Sequence, residues 1–279
     1  MRSQSPLPPS EVLSKLQAEA GRMPDTVGQM LTHMAQDAAG AVKQVRQQQV
    51  GEDVNAVLGN YCRRTLAGRY PFTKSQLDAA PNDFARFFGP GQMMEQFFNN
   101  ELAALVDRSG QRLRFKPGMD GRQGNATRYL SAFEQDAVIR DVFFEAGQAQ
   151  PSFQVAVRVV DMDARIRQLN LDVDGQSIHY AHGPQVATTV QWPGERGSHQ
   201  VMLSVMPQEG RSGISAQGPW ALHRLLDQAQ SVRQGRSPET MIATFDLGGR
   251  TVSLEWRAYS ARSPFALPEL KAFRCPEKG

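Results

Sequence analysis

The hydrophobic period of this chain changes once, near Pro151. Before that point apolar residues recur every three or four positions, the spacing of one helix face. After it they alternate with polar residues, the spacing of a half-buried strand. A single switch of this kind excludes an all-helical bundle and a repeated strand-helix-strand alternation. The expected fold class is α+β: an all-helical domain over residues 1–150, then an antiparallel β-sandwich over residues 151–279 with one inserted helix and an extended tail. At 279 residues and 40% hydrophobic, the chain has apolar material for one large domain or two ordinary ones, which excludes disorder as its main state.

In the first half, Val27, Met30, Leu31, Met34, Ala38, Ala41, Val42 and Val45 form one apolar stripe, and Val54, Val57, Leu58, Tyr61, Cys62 and Thr65 a second that Gly68 stops. Pro81-Asn82-Asp83 opens a further helix. Helical spacing then covers Met94 to Val106, and again Thr127 to Phe144. These aromatics and methionines are expected to be core. In the second half, strands are expected at Phe153–Val159, Ile166–Val173, Gln176–Tyr180, Val186–Trp192, Gln200–Val205, Met241–Phe245 and Arg250–Ala258. Asp174-Gly175 and Gly248-Gly249 suit tight hairpins, because such turns need positive φ. A helix over about Pro219–Gln230 interrupts the strands.

Few residues point to chemistry. The formal charge of +3 is too small an excess to argue for nucleic acid, and Arg63, Arg64 and Arg69 read as a solvated helix face. No phosphate-binding loop exists, and Gly121 with Gly124 lacks the strand-turn-helix setting of one. The five histidines are scattered, and His179 with His182 makes a poor metal pair, so no metal and no cofactor are expected. Asp172 and Asp174 read as turn residues rather than calcium ligands, and Ser212 does not sit in a nucleophile elbow. Asn125-Ala126-Thr127 matches the glycosylation sequon as a chance pattern. Without a convergent nucleophile, base or metal cluster, the expectation is an interaction protein and not an enzyme. No run of 18 apolar residues occurs, and the first ten residues lack a signal-peptide core, so neither a span nor a signal peptide is expected.

Several ordered segments carry a resemblance. They are Gly68-Arg69-Tyr70-Pro71-Phe72, the aromatic run Asp83 to Gly91, Leu171 to Gln176, His182-Gly183-Pro184, Gln191-Trp192-Pro193-Gly194, Gly218 to Leu222, Phe245 to Gly249, and the tail from Pro264-Phe265 to Phe273-Arg274-Cys275-Pro276. Together they resemble the C-terminal part of the IcmF/TssM family, the inner-membrane core component of type VI secretion systems, from about residue 50 onward. The resemblance implies a periplasmic module of a protein anchored in the inner membrane. It further implies binding to the outer-membrane lipoprotein TssJ and assembly with TssL and further TssM copies, without inherited nucleotide hydrolysis. The missing membrane segments and phosphate loop then read as a fragment boundary.

Within that reading, the candidate partner-binding loop is Trp192, Pro193, Gly194, Glu195 and Arg196, where an exposed Trp beside an Arg would have hot-spot chemistry; the competing reading, and the favoured one for Trp192 itself, is a core residue. The alternative function is a carbohydrate- or peptidoglycan-binding sandwich, for which Trp192 is the one plausible sugar platform among Trp192, Trp220 and Trp256. In a periplasmic setting Cys62 and Cys275 could pair. Cys62 lies on the apolar face of its helix and sequence separation says nothing of distance, so two separate thiols are expected.

Overall fold

The computed structural model describes residues 9–22, 25–110, 112–116, 126–145, 148–195, 197 and 200–276. The chain divides into two compact units: Met1–Gly59, Phe97–Ser131 and Pro276–Gly279 form one, Asn60–Gln96 and Ala132–Cys275 the other. Its fold is α+β, with helices in the first half and antiparallel sheets in the second.

In the first unit, α1 (Pro9–Ala20) packs on α2 (Asp25–Asp53), which runs into a π-helical segment at Val54–Gly59. The stripe expected to be core is not wholly core: Met30 and Met34 are each 65% exposed, while Gly28 and Ala35 are buried. The buried face of α2 lies about one position out of phase with the methionines, against the small residues that let α1 approach. The helix expected to reach Val106 also ends early. A π-helical turn at Phe98–Leu102 gives way to β1 (Val106–Asp107), paired with β2 (Arg114–Phe115). Here Lys116 N–H donates to the Leu105 carbonyl at 3.0 Å, so a hairpin partner takes a carbonyl that helix would have used.

The second unit holds α3 (Asn60–Thr65), α4 (Pro81–Phe88), the start of α5 (Met93–Phe97), most of α6 (Ala126–Phe143) and the whole sandwich. Pro81 opens α4 at its first turn, where a missing N–H costs nothing. The strands are β3 (Phe153–Met162), β4 (Gln168–Val173), β5 (Gln176–Tyr180), β6 (Thr188–Trp192), β7 (Gln200–Met206), β8 (Gly213–Gln217), β9 (Ser231–Gln234), β10 (Thr240–Asp246) and β11 (Thr251–Ala258). They form a five-stranded sheet in the order β6-β3-β11-β10-β9 and a four-stranded sheet in the order β5-β4-β7-β8. Inward residues alternate along them: Phe153, Val155 and Val157 on β3; Leu169, Leu171 and Val173 on β4; Val252, Leu254 and Trp256 on β11. Asp174 (φ 53°) with Gly175 (φ 86°) turns β4 into β5, and Gly248 with Gly249 turns β10 into β11.

Strands β8 and β9 give no sequence signal, for physical reasons. β8 buries only Ile214 and Ala216 and opens on glycine, while all four residues of β9 are exposed, so β9 has no alternation to read. The inserted helix is shorter than expected, α7 (Ala221–Leu226), because Gly218 at φ 96° precedes it and β9 begins at Ser231.

An aromatic seam joins α4, α6 and α7 to the sandwich within this unit. Phe88 packs on Phe273 at 5.0 Å and on Phe84 at 4.9 Å; Phe84 meets Trp220 at 5.3 Å; Trp220 stacks on Trp192 at 5.2 Å, and Trp192 on Phe153 at 4.8 Å. After β11 come a short 3₁₀ turn (Pro264–Ala266) and α8 (Pro268–Ala272), which bring the tail back to α3. There Cys62 and Cys275 form a disulfide with Cα atoms 5.6 Å apart, so the expectation of two free thiols is corrected. Burial of Leu270 and Phe273 seats the tail beside the helix face that holds Cys62.

Candidate partner-binding site

Residues of the candidate loop fall in different environments. Trp192 closes β6 with 1% of its surface exposed, its ring clasped between Phe153 and Trp220. Of the two readings of Trp192, core residue or exposed hot spot, the structure gives the core one: an aromatic side chain ending an inward-facing alternation continues into the core, and Trp192 leaves the candidate contact surface. Pro193 is half-buried, Gly194 buried and Glu195 exposed, whereas Arg196 lies outside the described residues. All three tryptophans are buried, at 0% for Trp220 and Trp256, which removes the surface platform that a sugar-binding reading needs.

The loop is braced by the β4–β5 hairpin. The side-chain amide of Gln176 spans the gap between the two sheets, donating to the Gln191 carbonyl at 2.7 Å and accepting from Gln191 N–H at 2.8 Å. In effect it supplies one residue's worth of backbone pairing to the outer edge of β6. Asp174 holds the far side: its N–H donates to the Gln200 carbonyl at 3.0 Å and its carboxylate accepts from Gln200 N–H at 3.1 Å. Gly194 is needed where it stands, because a Cβ there would meet Asp174 Cβ at 2.8 Å. Gly197 N–H donates to the Gly194 carbonyl at 2.9 Å and closes the turn. At the tip of β6 these contacts leave Glu195 exposed and Pro193 half-buried.

A second braced region lies under the Gly68–Phe72 motif. Tyr70 stacks beneath the Arg224 guanidinium at 4.1 Å and its hydroxyl donates to Asp227 at 2.8 Å. Burial, and then the Asp227 carboxylate, push the Tyr70 phenol well above its ordinary range, so it stays a donor. Arg224 pairs with Asp78 and donates to the Ser75 carbonyl at 2.9 Å, while Trp220 Nε1–H donates to the Ala79 carbonyl at 2.8 Å. Asp78 was invisible as a neighbour of Arg224 and Asp227 in the sequence, since it lies 146 positions before Arg224.

The remaining candidate residues serve local structure. Asp172 caps the β4–β5 turn, accepting from Gly175 N–H at 3.0 Å and Ser177 hydroxyl at 2.6 Å. His179 contacts Asn170 at 2.6 Å and His182 the Ile166 carbonyl at 2.6 Å, so each imidazole has its own partner. Arg64 donates to the Asn60 carbonyl at 3.2 Å and Arg69 to the Asp78 carbonyl at 3.4 Å. Gly121, Gly124, Asn125 and His199 lie outside the described residues. Among the described residues no group of three or more His, Cys, Asp or Glu is placed to hold a metal, and no helix is long and apolar enough to cross a membrane.

His223 on α7 makes the unit sensitive to acid. Its ring sits 5.0 Å from Phe265, 5.4 Å from Trp220 and 5.8 Å from Phe143, and neither nitrogen has a well-formed hydrogen bond. Burial first, then the Lys271 charge, lower its pKa to about 3, against a weak opposing pull from the Pro264 carbonyl. The folded state then binds fewer protons than the unfolded state below the ordinary His pKa of about 6.5. The stability this residue contributes is complete above that pH and falls, by about 1.4 kcal/mol per pH unit, as pH drops toward the folded value. Asp136 acts oppositely. Burial raises its pKa to about 7 despite Arg140 at 2.8 Å, so its destabilising effect grows as pH rises. Urea unfolding of wild type and His223→Phe between pH 7 and pH 4 isolates the histidine. The variant should lose less stability than wild type over that span, and parallel curves would refute the assignment.

Taken together, the fold and these sites define a class: a helical module followed by a two-sheet sandwich, in which buried polar groups brace loops. Two family models match it, the Type VI secretion protein IcmF helical domain over residues 30–149 and the Type VI secretion protein IcmF C2-like domain over residues 155–260. The chain belongs to the IcmF/TssM family of type VI secretion proteins. It is 36% identical over 269 residues to the type VI secretion system component TssM1 of Pseudomonas aeruginosa, covering 95% of this chain and 24% of that protein. Among solved structures it resembles the TssM C-terminal domain (869-1107) from EAEC, with TM-score 0.70, 20% identity, and coverage of 83% of this chain and 97% of that one. It also resembles a chain of a type VI secretion system membrane core complex, with TM-score 0.76, 19% identity, and coverage of 94% and 56%.

Proposed function

We propose that this chain is a structural, periplasmic module of a type VI secretion membrane complex, part of a protein anchored in the inner membrane. It binds the outer-membrane lipoprotein TssJ and supports assembly with TssL and further TssM copies. The observation that carries this reading is the 36% identity to TssM1 along 95% of the chain. The Cys62–Cys275 disulfide supports the compartment, since such bonds persist where the environment is oxidising. The helical residues 1–150 and the sandwich residues 151–279 are its two working parts.

The contact we assign to the lipoprotein is the loop after β6, Pro193 to Arg196, with exposed Glu195 as its described contact residue and buried Trp192 anchoring the loop from within. Calorimetry of the whole chain with TssJ tests it. A Glu195→Lys/Arg196→Glu double variant should bind at least about tenfold more weakly, the loss expected when central interface charges are reversed. Unchanged affinity in a folded double variant removes the loop as an energetic centre, and absence of binding by the wild-type chain overturns the lipoprotein reading.

A further inference from the structure

The five-stranded sheet has a second edge, β9, opposite the β6 edge. Across its solvent face the register aligns Arg233 of β9, Ile242 of β10, Glu255 of β11 and Arg158 of β3 in one row. With Gln234 and Arg236 these residues line a cleft of about 570 Å³. Its floor is fixed: Arg158 grips Glu255 through Nε at 3.1 Å and Nη2 at 2.7 Å. Its rim is not neutralised. Among the described residues no side-chain hydrogen bond or ion pair engages Arg233 or Arg236, and both are exposed. Their backbone is nonetheless held, because Gly235 N–H donates to the Thr240 carbonyl at 2.8 Å and Ser237 meets the Thr240 hydroxyl at 3.1 Å. A side chain at Gly235 would collide with Thr240, so this tight approach depends on glycine.

We propose that this cleft docks an acidic, extended segment of a partner protein, its side-chain carboxylates taken by Arg233 and Arg236 and its backbone lying along β9. Three features favour that occupant. Guanidinium groups match carboxylates with two parallel hydrogen bonds. The outer edge of β9 is an unpaired strand edge, and such edges accept an added strand. Arg158 already compensates Glu255, so the positive charge left for a ligand sits on Arg233 and Arg236, three positions apart at the rim, which suits single carboxylates spread along a chain. The buried Ile242, beside Arg233 in the row, gives the cleft an apolar patch next to its charged rim. This surface lies at the other edge of the sheet from the β6 loop and does not depend on the TssJ reading.

Fluorescence anisotropy of the whole chain tests it with three probes: a labelled, end-capped octapeptide alternating Glu and Thr, its Gln/Thr counterpart, and inorganic phosphate as competitor. The Glu peptide is expected to bind, weakening as salt rises, with affinity at least about tenfold above that of the Gln peptide, as for paired rim charges. Arg233→Glu/Arg236→Glu should abolish that preference while leaving TssJ binding at its wild-type level, and Arg236→Gln alone should reduce it severalfold. The proposal fails if the Glu and Gln peptides bind alike, if neither binds, or if the folded variants retain the preference. It fails too if phosphate at equal concentration displaces the peptide, which would make the cleft a phosphate site.

Discussion

Cys62→Ser is expected to lower the unfolding free energy by about 3–5 kcal/mol. The bond closes a loop of 213 residues, and for that length the chain-entropy model gives about 5 kcal/mol of restriction on the unfolded state. Part is offset because Leu270 and Phe273, both buried, hold the tail in place without the bond. Urea unfolding with and without reductant reads the effect. The midpoint should fall on reduction in wild type and stay put in the variant. Mass spectrometry after alkylation without reductant should find no labelled thiol in wild type. Equal midpoints for oxidised and reduced wild type would show that tail packing alone sets stability.

Trp220→Ala should cost about 3–5 kcal/mol, the range for removing a large buried aromatic. Trp220 is fully buried where α4, α6 and the sandwich meet, in ring contact with Phe84, Phe143, Trp192 and His223. Its Nε1–H also satisfies the Ala79 carbonyl, tying the Tyr70 loop to α7. Trp220→Phe separates the two roles: it keeps an aromatic ring but orphans that carbonyl, and should cost about 1–3 kcal/mol. Thermal unfolding monitored by near-ultraviolet circular dichroism would report both. If Ala and Phe cost the same, ring volume at this junction contributes little, contrary to the packing described.

The Trp220 result bears on what was legible beforehand. Its helix was visible from the spacing of Leu222, Leu225 and Leu226, and its burial followed from the pattern. Its partners were not, because Phe84 and Trp192 come from a helix and a strand far away in sequence. The same holds for Tyr70, whose partners Arg224 and Asp227 lie about 150 positions on. Trp192 was legible as the end of a strand, and its burial follows from the inward position it holds at the end of β6; that it stacks between Phe153 and Trp220 was not.

Local periodicity determined the α+β class, the change near Pro151, most of the long strands and both tight turns, because side-chain alternation and turn chemistry are properties of neighbouring residues. Strands β8 and β9 escaped because an edge strand with little to bury leaves no periodic trace. Only the tertiary structure decided that Cys62 meets Cys275, that Gln176 staples the two sheets, and that Arg158, Arg233 and Arg236 share one cleft. Each of these depends on how distant segments are brought together, and packing, not spacing, sets that distance.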